Sequence, residues 1–175
     1  MKRIRKRNLG IIITLVLLTA AVAVLAFLNA GSLERKQELE MNAEFLLGSG
    51  GAQRTITMRD ILELDPVDFE AVMDTSTTDP TSVTFTGVEL SRICEKFGIG
   101  IEPGMIVQVK ALDGYASALT GEEVLAGDNV YICVYMNGEA LKTKSEGGMG
   151  PYLMIIKSFL YSQRWCKFVE EIVVG

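Results

Sequence analysis

Apolar residues run almost unbroken from Leu9 to Ala30, interrupted only by Gly10, Thr14, Thr19 and Asn29. At ~1.5 Å per residue such a run makes a helix of roughly 33 Å, enough to cross a hydrocarbon core of ~30 Å. A cleaved secretory signal also starts basic and turns apolar, but its apolar region is usually about 7–15 residues long. Leu28-Asn29-Ala30 also puts a bulky residue where cleavage favours a small one. Lys2, Arg3, Arg5, Lys6 and Arg7 precede the run with no acid among them, and basic residues stay on the cytoplasmic side. The pattern predicts a basic cytoplasmic tail over 1–8, one transmembrane helix over 9–30, a juxtamembrane stalk over 31–44 and one domain over 45–175. The protein is then expected in the cell membrane, single-pass, with its C-terminal domain extracytoplasmic. No cysteine follows the apolar run, so a lipid anchor is not supported.

Beyond the stalk the pattern becomes mixed. Gly48-Ser49-Gly50-Gly51 begins like a dinucleotide fingerprint, but Gln53 stands where a third glycine is needed, so a turn is expected. Thr57 and Asp60 have the spacing of a capping box for a helix through Ile61, Leu62 and Leu64, ended by Asp65-Pro66. Strands are predicted at Phe69 to Met73 and Val83 to Thr86, around a loop from Thr75 to Ser82. Leu90, Ile93, Cys94 and Phe97 fall on one helical face, with Gly98 placed to stop the helix. Ile106 to Ala111 reads as a strand, and Thr120 with Glu123 caps another short helix. Tyr131 to Met136 alternates as a strand before Asn137-Gly138, a type I′ hairpin signal, with Glu139 to Thr143 returning. Ser145 to Pro151 is a glycine-rich loop, Tyr152 to Ile156 is strongly apolar, and Trp165 to Val174 closes the chain as a strand. The sum is a strand-rich α+β domain.

Charge and composition narrow the chemistry. Five of the 17 basic residues precede the apolar run, which leaves 12 against 22 acids in residues 31–175. A net charge near −10, with no basic stripe, argues against nucleic acid as a partner. Histidine is absent, which removes zinc sites of the usual kind and histidine acid–base catalysis. Cys94, Cys133 and Cys166 are too few and too far apart for a Cys-x-x-Cys site, and an odd number cannot all pair within the chain. Cys94 is expected in the core, Cys133 buried in a strand, and Cys166 the most accessible of the three. Asp113-Gly114 reads as a turn whose carboxylate bonds its own backbone. Glu122-Glu123 and Glu170-Glu171 read as solvated faces, and no serine has a lysine at the spacing of a nucleophile and base. Trp165 is expected either to line a pocket with Tyr115 and Tyr152 or to anchor the core.

Five segments then occur in a consistent order: Phe85-Thr86-Gly87-Val88-Glu89-Leu90, Asp113-Gly114-Tyr115, Asn137-Gly138-Glu139-Ala140-Leu141, Gly148-Met149-Gly150-Pro151 and Lys167-Phe168-Val169. Over roughly residues 45–175 they resemble the oxidoreductase molybdopterin-binding domain, the sulfite-oxidase fold. The resemblance implies that fold and a cofactor site near Asp113, Tyr115, Glu146, Gly147, Gly148, Pro151, Tyr152, Arg164 and Lys167. Molybdopterin is the cofactor it implies, and enzymes of the family hold molybdenum through one cysteine thiolate shortly before the Gly-Val-x-Leu helix.

Two departures qualify this. The loop before Gly87-Val88 holds Thr75, Ser76 and Thr77, and a hydroxyl is far less acidic than a thiol. Where the family often writes Gly-x-Pro-x-Arg, this chain has Leu153 after Pro151-Tyr152, leaving Lys157, Arg164 and Lys167 as the nearest cations. No catalytic residue and no metal ligand is assigned, and the departures argue that no cofactor is held. The expected function is a binding or interaction module for a small anionic ligand or a membrane redox partner protein. The alternatives are a molybdopterin-dependent oxidoreductase subunit and an assembly factor of a membrane redox complex.

Overall fold

A computed structural model describes residues 10–26, 41–75, 78–159 and 162–175, and the side chains of Thr75 and Thr78 are outside that description. The chain separates into two units, 1–40 and 41–175. In the first, residues 10–26 form helix α1, with exposed apolar side chains. Leu9, the rest of the predicted span and nearly all of the stalk fall outside the described residues. Among the described residues no helix is long and apolar enough to cross a membrane.

The second unit contains two five-stranded sheets. Strands β1 (Glu44–Ser49), β2 (Ala52–Thr57), β5 (Ile106–Ala111), β6 (Ala116–Thr120) and β10 (Val169–Val174) form the first, in the order β2-β1-β10-β5-β6. Its one parallel pairing joins β1 to β10; the other three are antiparallel. The second sheet runs β3 (Val67–Thr75), β4 (Thr78–Glu89), β7 (Val130–Met136) and β8 (Glu139–Ala140), with β9 (Leu153–Ile156) also paired to β7. Helices α2 (Met58–Leu62), α3 (Leu90–Lys96) and α4 (Gly121–Leu125) are short.

Strand β7 shows why the two sheets stay together. Its Val130, Ile132 and Val134 enter a core shared with Phe45, Leu47, Val107, Val109 and Ile172 of the first sheet. Its Tyr131 and Cys133 enter a second core with Phe69, Phe85, Leu153 and Trp165. A strand buried on both faces contributes on each, at roughly 1.5–3 kcal/mol for a large apolar side chain. Both cores lie wholly within residues 41–175, so this unit carries what it needs to fold.

Several expectations need correction. Residues 44–49, read as the end of a stalk and the start of a turn, are strand β1; only Gly50 and Gly51, with φ of 59° and 86°, make the turn. The loop predicted from Thr75 to Ser82 is mostly strand, because β3 and β4 pair as a long hairpin almost to its tip. Ser76 and Thr77, at that tip, lie outside the described residues. The return strand stops at Ala140 rather than Thr143. The last strand starts at Val169 rather than Trp165, since Phe168 adopts a left-handed φ of 56° that an extended strand cannot continue.

Candidate functional site: a cleft beside Trp165

Three chain segments meet next to Trp165, each fixed by its own backbone chemistry. The first is the 3-10 turn Ser162–Arg164. The Tyr115 hydroxyl donates to the Gln163 carbonyl at 2.9 Å, the Ser117 hydroxyl donates to the Arg164 carbonyl at 2.9 Å, and the Ser162 hydroxyl donates to the Asp74 carbonyl. Arg164 itself bonds Glu123 of α4 at 2.6 and 3.1 Å and the Ala118 carbonyl at 2.8 Å. The turn is thus tied to β3, β6 and α4 at once, and Trp165 follows it directly. Residues 154 and 166 then exchange backbone hydrogen bonds, which fixes the chain after the tryptophan.

The second segment is the glycine-rich loop. Thr143 and Glu146 form a capping box around the 3-10 turn Lys144–Glu146, with the Thr143 amide and hydroxyl donating to Glu146 Oε2 at 3.0 and 2.9 Å. The Gly148 and Gly150 amides donate back to Thr143 and Lys142, and the Phe168 amide donates to the Met149 carbonyl at 3.1 Å. Met149 and Lys167 are thereby brought to one place. The third segment is the Asp113-Gly114-Tyr115 turn. Asp113 Oδ1 accepts from the Tyr115 amide at 3.2 Å, and the Leu112 amide donates to the Phe168 carbonyl at 3.0 Å. The bond from Tyr115 is the local one expected of that carboxylate.

Between these segments lies a cavity of about 370 Å³, walled by Asp113, Tyr115, Gln163, Trp165 and Lys167 and closed by Met73, Asp74, Met149 and Ser162. A second cavity of about 430 Å³ shares Met73, Met149 and Lys167 with it and continues past Met136, Lys142, Gly147 and Gly148. The two are lobes of one cleft, joined at two methionines and a lysine. Ligand sites in proteins commonly have this size and this mixture of apolar wall and few polar groups.

Of the residues expected at the site, Asp113, Tyr115 and Lys167 line the first lobe and Gly147, Gly148 and Lys167 the second. The others do not line either lobe. Tyr152 is fully buried, edge-on to Phe45 with ring centroids 4.9 Å apart, and its hydroxyl donates to the Ala43 carbonyl at 2.8 Å. It is a core residue, so the expected pocket of Trp165, Tyr115 and Tyr152 contains only the first two. Arg164 points to Glu123 and stacks at 4.9 Å from the Phe159 ring, and Glu146 caps its own turn. Pro151, after a cis peptide bond, is also outside the lining. Met73, Asp74, Ser162 and Gln163 were not anticipated, whereas Met149 lies in the expected loop between Glu146 and Pro151.

Trp165 satisfies both of its expected roles. It is 5% exposed, meets Phe85 edge-on at 5.6 Å, and still walls the first lobe. Its Nε1 is the buried side-chain nitrogen or oxygen that has no hydrogen-bond partner among the described residues. Cys166, expected to be accessible, is instead fully buried beneath the β9 bridge, and the buried Cys94 and Cys133 are where the pattern placed them. Burial pushes the Cys94 and Cys166 thiols up to about 12 and raises Cys133 well above the ordinary range. Each is therefore a neutral thiol, and no cysteine lines the cleft.

The Glu123–Arg164 pair gives a pH test of how the turn is held. The Arg164 hydrogen bond holds the Glu123 carboxyl below the usual range, and the Thr120 amide adds to this. A carboxylate depressed in the folded state stabilises fully above its unfolded value of about 4.3 and loses that contribution as pH falls through the folded value. Glu123→Gln is expected to lower the urea midpoint at pH 6, with the gap from the parent protein closing below about pH 4.3. A gap that stays constant from pH 6 to pH 3 would mean that the charge on Glu123 does not support the turn.

Among solved structures, the crystal structure of the sulfane dehydrogenase SoxCD from Paracoccus pantotrophus superposes with a TM-score of 0.64 at 16% identity, over 77% of this chain. The match spans only 38% of that longer chain, so it speaks for the shared fold. No curated protein matches the sequence. The model of the oxidoreductase molybdopterin binding domain runs along residues 46–175, which takes in the strand order, the cleft and all five ordered motifs, and the chain belongs to that family.

Proposed function

We propose that the chain is a membrane-anchored, extracytoplasmic member of this family that binds a small ligand or a partner without a catalytic molybdenum centre. The observation that carries this is the chemistry of the cleft. Enzymes of the family hold molybdenum through one cysteine thiolate, a soft ligand, and the three thiols of this chain are buried and neutral in the two cores. The hairpin whose second strand carries Gly87 and Val88 brings Met73 and Asp74 to the cleft instead. Nor is the first lobe built for an anionic pterin phosphate. Among the described residues Lys167 is its one cation, and it shares the space with Asp74 and Asp113, while the second lobe adds Lys142 beside Glu139. The residues present do not fit the group, and no reaction step is assigned to it.

The anchor rests on the apolar run from Leu9 to Ala30 behind five basic residues. A tether of that kind would raise the local concentration of the domain beside a membrane partner. Full-length protein is expected to remain in the membrane pellet after alkaline carbonate washing, and release into the supernatant would remove the anchor from the reading.

The central test is composition. Residues 41–175, made in a host that synthesises molybdopterin, are expected to carry neither molybdenum by mass spectrometry nor the fluorescent pterin product after oxidation. Either one at a stoichiometric level would overturn the reading in favour of a molybdopterin-dependent oxidoreductase subunit.

A further inference from the structure

We propose that the junction of the two lobes binds a small organic acid with one negative charge and an apolar body, an inference that rests on reading the domain as a binding module. Lys167 lines both lobes, and its exposed side chain has no hydrogen bond, ion pair or ring contact among the described residues. Trp165, which walls the same lobe, carries a buried indole N–H with no acceptor among the described residues, a state that natural proteins rarely leave uncompensated. An unpartnered cation on a lobe with largely apolar walls suits a ligand that brings acceptor oxygens.

The remaining walls set the rest of the ligand. Met73 and Met149 flank the junction, and thioether side chains adapt to irregular apolar shapes and pack well against rings. The carboxylates set the charge. Asp113 is already engaged by the Tyr115 amide and lies 3.8 Å from Lys144 Nζ. Asp74 has no side-chain partner among the described residues and faces the same lobe as Lys167. The second lobe adds Lys142 and Glu139, one charge of each sign, so Lys167 beside the unopposed Asp74 accommodates a single negative charge and disfavours a second.

The test uses 8-anilino-1-naphthalenesulfonate, which has one sulfonate on an apolar frame, and N-phenyl-1-naphthylamine, its uncharged counterpart. Trp165 is the only tryptophan in the chain, so energy transfer from it reads probe binding to residues 41–175 directly. The sulfonate is expected to bind saturably at one site. Lys167→Gln is expected to weaken it about tenfold, the loss of one charge-assisted contact, while the uncharged probe changes less than about twofold. Asp74→Asn should tighten the sulfonate by about two- to threefold by removing a like charge. Circular dichroism checks that both variants keep the parent fold.

No saturable binding of the sulfonate, equal binding in Lys167→Gln and the parent, or equal weakening of both probes in Lys167→Gln would each overturn the proposal. The same preparation is first assayed for metal and pterin. A protein that is empty but ignores the sulfonate sinks this inference alone, whereas bound pterin sinks the module reading beneath it.

Discussion

Trp165→Ala is expected to destabilise the 41–175 unit by about 3–5 kcal/mol, measured by urea unfolding followed by circular dichroism, because the indole fills the second core and little can collapse into the space it leaves. The side chain is 5% exposed and packs with Phe69, Phe85, Leu153 and Ile155, from three strands. Its backbone is fixed on both sides, by the Ser162–Arg164 turn before it and the residue 154–166 bridge after it, so the chain cannot shift inward to heal the cavity. Trp165→Phe separates packing from polarity. It keeps an aromatic ring against Phe85 and deletes the unpartnered N–H, so its cost is expected to stay within about 1.5 kcal/mol. A Phe variant as unstable as the Ala variant would mean that the indole N–H, rather than ring packing, carries the stability.

What the sequence disclosed about this site follows from the range over which each signal acts. Features set by three or four neighbouring residues were readable. Both capping boxes, Thr57 with Asp60 and Thr120 with Glu123, form as spaced, and Asn137 and Gly138 take φ of 52° and 78°, as a type I′ turn requires. The ordered motifs gave the family, and with it the Asp113 turn and Lys167. Features set by distant pairing were not readable. Strand β1 is held by a parallel partner at the far end of the chain, so its charged flank and glycines looked like stalk and turn. Alternation along β7 predicted a strand but could not say that both faces are buried. Arg164 is taken out of the cleft by Glu123, a partner 41 residues away in sequence. Cys166 is covered by β9, which its charged neighbour Lys167 gives no hint of. Met73 and Asp74 reach the cleft only because the β3–β4 hairpin extends to it.

The glycine-rich loop offers the sharpest test of how backbone packing shapes the second lobe. A Cβ added at Gly148 would sit 2.1 Å from the Lys142 carbonyl oxygen and 2.5 Å from its carbonyl carbon. These are backbone atoms, and the Lys142 carbonyl is itself held by the Gly150 amide at 2.8 Å, so no side-chain rotation relieves the collision. Gly148→Ala is therefore expected to cost about 3 kcal/mol, the upper part of the usual overpacking range. The adjacent Gly147 is the control. Its added Cβ would meet nothing within 4 Å, but its φ of 76° is left-handed, so Gly147→Ala is expected to cost only about 1 kcal/mol of backbone strain. Both glycines line the second lobe, Gly147 exposed and Gly148 half-buried, so the pair sets open space with backbone strain against close backbone approach. Urea midpoints should thus fall in the order parent, Gly147→Ala, Gly148→Ala. An inverted order would show that left-handed strain, rather than the close approach to Lys142, is what requires glycine in this loop.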